Sequence, residues 1–122
     1  MKVIINNIIP FDGYKYINLF GYIFTKDKNY VMTQKDENHE SIHTLQMKYL
    51  LYIFFYIIYY LEWSIKIPIA LFCNTGRYGV LRYAYRSISF EQVAYLHQTD
   101  YQYLENANPY EWIKFIFKMY QL

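Results

Sequence analysis

His39, Glu40 and His43 are the residues of this chain best suited to chemistry. They lie in NHESIH, Asn38 to His43, and spell HExxH just ahead of a long apolar run. On an α-helix, a spacing of four residues puts both imidazoles on one face, where they reach a single ion at about 2.0–2.1 Å. Glu40 projects beside them, free to take a proton from zinc-bound water that then attacks a polarised carbonyl. Without an ion, the same residues are an ordinary polar helix start in which Glu37 and Glu40 favour the helix dipole. His43 is followed closely by Leu45, Met47 and the apolar run, so the pair sits where a helix passes from surface to core. That position suits a catalytic cleft and favours the metal reading.

A catalytic zinc site takes a third protein ligand and keeps a fourth position open. Glu62 lies at a tempting sequence distance. On one unbroken helix, however, it would sit about 30 Å from His43, and it can serve only if that helix breaks. Glu91 is better placed, in the first turn of a later helix that a long loop returns antiparallel to the first. His97 and Cys73 are the remaining candidates. A lone histidine two turns further along is more commonly a surface or packing residue, and Cys73, alone in its loop, is more commonly an inert thiol.

These residues need a scaffold, and the chain suggests an α+β one. Residues 2–9 are β-branched and apolar and predict a strand ended by Pro10, with a turn at Asp12-Gly13. Tyr14 to Lys26 predicts a second strand, with Gly21 at a bulge or a close backbone approach, and Tyr30 to Thr33 a short third. The first third, residues 2–33, thus reads as a small antiparallel sheet, and residues 35–122 as helical. Lys35 to Lys66 holds neither Gly nor Pro and predicts one helix stopped by Pro68. Such a helix would be about 45–48 Å long, against about 35 Å for a domain of 122 residues. It must therefore break near Tyr59 to Trp63 or project. Ser89, with Gln92 in a capping-box position, opens a helix to about Asn106, and Asn108-Pro109 opens a last one, Tyr110 to Tyr120.

Length fits one domain, 1–122. A net charge of +2 spread along the chain lacks the footprint of a nucleic-acid binder, so no nucleic-acid partner is expected. One cysteine excludes an internal disulfide and CxxC zinc ligation. Asn6 and Asn7 interrupt the apolar start before it reaches signal-peptide length, so a cytoplasmic or membrane-peripheral location is expected. The 17 tyrosines and 9 phenylalanines fit either codon bias or an interface surface. Tyr49 to Leu61 is apolar all round, which predicts full burial in a core, an oligomer or a membrane-touching segment. It is short of a span unless Glu62 and Lys66 are buried with it.

NHESIHTLQ, preceded by a small sheet and followed by a helix beginning SFEQVAY, resembles the minimal catalytic core of the gluzincin metallopeptidases, the minigluzincins among them. The resemblance covers about residues 14–103. It implies His39, His43 and Glu91 as Zn2+ ligands, Glu40 as general base, and a peptide substrate lying extended along the edge strand of the sheet. A donor for the developing oxyanion is open among Tyr85, Arg86 and Tyr95. The rival expectation is a noncatalytic interaction or structural protein that docks its aromatic helix into a partner or bilayer.

Overall fold

The computed structural model describes residues 2–10 and 14–122. The α+β expectation holds: a three-stranded sheet at the N-terminus precedes four helices. The strands are β1 (Val3–Ile5), β2 (Ile17–Leu19) and β3 (Tyr22–Thr25), in the order β1-β3-β2. β2 and β3 form the antiparallel pair that the alternating apolar residues predict, but β1 joins the other side of β3 in parallel, so the sheet is mixed. Asn6 ends β1 early, its side chain accepting from the backbone N–H groups of Ile8 and Ile9. The expected turn at Asp12-Gly13 falls outside the described residues.

The run 14–26 is two strands rather than one. Phe20 and Gly21 both take positive φ, 56° and 92°, as two-residue hairpin turns require. Gly21 is also the close approach expected of it: a Cβ there would lie 3.3 Å from Thr44 on the first helix. Tyr30 to Thr33 forms no strand; Thr33 instead caps that helix, its hydroxyl accepting from the N–H of Asp36.

The long predicted helix is two: α1 (Gln34–Lys48) and α2 (Ile53–Ala70). The break falls at Tyr49 to Tyr52, ten residues ahead of the expected place, at residues that carry no helix-breaking signature. Leu51 and Tyr52 take φ of 54° and 60°, a conformation costing side-chain-bearing residues about 1–2 kcal/mol each. Packing offsets that strain. The turn swings Phe55 back onto Phe90, ring centroids 4.5 Å apart, in a core that also contains Ile42, Met47, Ile88, Val93 and Trp112. Pro68 lies within the last turn of α2 rather than stopping it, and the helix ends two residues later.

α3 (Gly79–Ser87) packs along α2, and α4 (Ser89–His97) runs antiparallel to α1. α4 stops well short of Asn106 because the Asn38 amide takes the carbonyls of His97, Gln98 and Asp100. Asn108 does cap the following segment, accepting from the Tyr110 N–H, yet only a 3-10 turn, Glu111–Phe115, forms there. The Lys66 ammonium takes the carbonyl of its last residue, Phe115, and joins the Gln92 amide on the carbonyl of Lys118 just beyond.

Nor is α2 the core helix its composition predicts. Only Phe55, Glu62, Lys66 and Ala70 are buried, while Ile53, Phe54, Ile57, Leu61, Ile65 and Ile69 face outward. By length and composition α2 can cross a membrane, with a mean hydropathy of 1.3 over 18 residues.

Candidate metal centre

α1 presents His39 and His43 one turn apart, and α4, running past it in the opposite direction, presents Glu91 from its first turn. All three are buried, Glu91 at 2% exposure, and their ligand atoms lie within 4.8 Å of one another. One carboxylate oxygen, Glu91 Oε1, sits 3.2 Å from His39 Nε2 and 3.1 Å from His43 Nε2.

The surrounding hydrogen bonds decide which atoms face inward. His39 Nδ1 meets Gln98 Oε1 at 3.0 Å, and His43 Nδ1 meets Gln46 Oε1 at 2.9 Å. An amide oxygen only accepts, so each ring donates from Nδ1, which leaves Nε2 as the atom that would meet an ion at the centre. Glu91 is held in the same way: Tyr59 donates to Oε2 at 2.6 Å, and Oε1 is left facing the two imidazoles. His43 Nε2 is buried without a hydrogen-bond partner, although it points at a carboxylate. An orphaned buried nitrogen beside two further donors, each braced from behind, is the arrangement that metal sites share. The residues fit a metal ion.

Electrostatics agree. Burial works against the Glu91 charge, but His43 and His39 hold its carboxyl well below the usual carboxylate range. Burial likewise opposes a charge on His43, and the facing Glu91 raises it to about 9. These shifts describe a carboxylate and an imidazole that favour each other's charged forms in a small buried volume, where a bound cation would take the place of the His43 proton.

Glu40 stands next to this group without belonging to it. Its Oε2 is 3.8 Å from His39 Nε2 and 3.4 Å from the Tyr16 hydroxyl. Burial pushes its pKa up, with His43 and His39 pulling part of the way back. Asn18 on β2 donates to the Glu40 carbonyl at 3.1 Å, which ties the edge strand to the motif helix. Above the site opens a cavity of about 750 Å³ with walls that include Tyr16, Phe55, Tyr56, Tyr59, Trp63 and Tyr95.

The other candidates lie elsewhere. Glu62 is bound to Lys66 and Ser89, His97 to Glu111 at 2.8 Å, and the Cys73 thiol to the Ile69 carbonyl. Tyr85, Arg86 and Tyr95 all line the cavity. The Arg86 guanidinium lies over the Tyr95 ring at 3.8 Å, and the edge of Tyr95 packs on His39. Sequence reasoning missed Gln46, Gln98 and Tyr59. Gln46 had a signal, three residues after His43 on the same helix face. Gln98 and Tyr59 had none, since only the break after α1 and the return of α4 bring them in.

Tyr59→Phe is expected to weaken metal binding about 10–100-fold while leaving the fold intact, because it frees the ligand carboxylate to rotate. Competition against a chelating dye measures this; wild-type affinity in the variant would show that the phenol does not orient Glu91.

No protein-family model, curated protein or solved structure matches this chain.

Proposed function

We propose that this protein is a zinc-dependent peptidase of gluzincin type, with His39, His43 and Glu91 as ligands and Glu40 as general base. The observation that carries the reading is the convergence of His39 Nε2, His43 Nε2 and Glu91 Oε1 next to a carboxylate that is not itself a member of the group. Oxygen–nitrogen separations of 3.1–3.2 Å are close to the edge of a tetrahedron with bonds of about 2.0–2.1 Å, the geometry and donor set that zinc prefers. A zinc ion bound there would acidify water and polarise a carbonyl.

The chain's own residues supply the rest. Glu40, its basicity raised by burial, takes the proton from the attacking water and passes it to the departing amine. β2 is an edge strand, paired with β3 alone among the described residues, and its residues Ile17 and Asn18 line the cavity. An extended peptide adding to that edge lies across Glu40. The aromatic walls suit apolar side chains flanking the scissile bond. Tyr85, Arg86 and Tyr95 remain the candidates to meet the carbonyl oxygen. The rival reading, a noncatalytic interaction protein, draws support from the outer face of α2 but leaves Glu40 without a task.

Elemental analysis of protein purified without a histidine tag tests the proposal. One zinc per chain, absent from His43→Ala, is expected; a wild type that takes up no zinc even when supplied with it overturns the reading.

A further inference from the structure

The helix α2 is turned inside out for a chain in water. Its two charged residues, Glu62 and Lys66, are buried at 7% and 4% exposure, while its outer face presents Ile53, Phe54, Ile57, Leu61, Ile65 and Ile69. Eighteen residues rise about 27 Å, and over that length the outer face carries no charge. The apolar surface continues beyond the helix. Phe72 is 92% exposed just after it, Leu81 is exposed on α3, and Phe117 is 98% exposed beside an apolar cleft of about 330 Å³ between α2 and the C-terminal segment. A contiguous apolar surface of this extent marks a contact with a partner or a lipid phase.

Charge decides between the occupants. Between Glu62 and Asp100 the sequence has a single acid, Glu91, and that one is buried in the metal centre. The exposed charges next to the apolar residues are cations: Arg77 and Arg82 bracket Leu81 and follow Phe72, and Lys118 follows Phe117, while Lys114 before it is paired with Glu111 at 3.4 Å. A second copy docked face to face would set these cations against their own kind. An anionic bilayer would neutralise them while taking up the apolar side chains.

We infer that the outer face of α2, together with Phe72, Leu81 and Phe117, is a docking surface for anionic membrane, on which the helix lies in the plane of the interface. The inward charges agree with this placement. Glu62 and Lys66 stay bonded within the protein, and only uncharged side chains meet the acyl boundary. This inference stands on residues outside the metal group and is independent of the proposed activity.

Flotation of the full chain with phosphatidylcholine–phosphatidylglycerol vesicles, against phosphatidylcholine alone, tests it. The protein is expected to float with the anionic vesicles and much less with the neutral ones, and raised salt should release part of it. Phe72→Ser combined with Phe117→Ser removes two side chains that pack on little else, so the fold should survive, as circular dichroism would verify. Partition is expected to drop about tenfold or more. Folded wild-type protein that stays at the bottom with both vesicle types overturns the inference. So does a stable dimer that vesicles do not dissociate, or equal, salt-independent partition into both membranes.

Discussion

Glu40→Gln is expected to lower peptide hydrolysis by about 10²–10⁴-fold and to leave the zinc content at its wild-type level. The carboxylate lies 3.8 Å from His39 Nε2 and outside the three-residue ligand group, so an isosteric amide removes the base without removing a donor to the ion. Glutamine keeps the volume and can still accept from Tyr16. Because Glu40 is buried and its charged form is disfavoured there, a neutral side chain should leave stability unchanged or raise it. Cleavage of a denatured protein substrate and elemental analysis on the same preparations give the two readouts. Undiminished cleavage would remove Glu40 from the reaction. Loss of zinc together with folding would make the residue structural and favour the noncatalytic reading.

The second large effect is on stability, at Glu62. Its carboxylate accepts from Lys66 at 2.7 Å, from the Ser89 hydroxyl at 2.6 Å, and from the Ser89 N–H at the start of α4. It therefore does the capping that Ser89 was expected to do: Ile88 occupies the N-cap position and offers no side-chain bond, so Glu62 of α2 closes α4 from outside. Lys66 in turn ties that junction to the C-terminal segment through the carbonyls of Ser87, Phe115 and Lys118. Glu62→Ala leaves an ammonium buried without its acid, and a loss of about 3–5 kcal/mol is expected in denaturant unfolding. Metal affinity should fall with it, since Glu91 sits two residues beyond the lost cap. Glu62→Met combined with Lys66→Met should recover much of the loss, because no isolated charge is then left inside. A single-variant loss below about 1 kcal/mol would mean that water reaches Lys66 and that the pair is not a structural clamp.

Much of the centre could be read directly from the chain. His39 and His43 share a helix face whatever the tertiary structure does, because the 3.6-residue period fixes it. Glu91 followed from its place in the first turn of the next well-started helix. The sheet-then-helices order also came from local pattern, β-branched runs between turn residues giving way to a long stretch without glycine or proline.

What the sequence hid was decided by contacts between distant segments. The break at Leu51 and Tyr52 has no local signature, since two apolar side chains are held at positive φ only because the turn lets Phe55 and Tyr59 reach α4. α4 and the C-terminal turn end early because Asn38, Lys66 and Gln92 take their carbonyls from across the fold. Glu62, weighed as a ligand, became a cap once the broken helix carried it to Ser89. Composition marked the aromatic run as apolar all round but could not say which side would face inward. The paired charges of Glu62 and Lys66 turned that side to the interior, where backbone donors and acceptors satisfy them, and left the hydrocarbon face outside. By itself, then, the sequence determined the chemistry available at NHESIH and the class of fold. Tertiary structure chose the bonds that aim the three donors and the face that α2 shows to its surroundings.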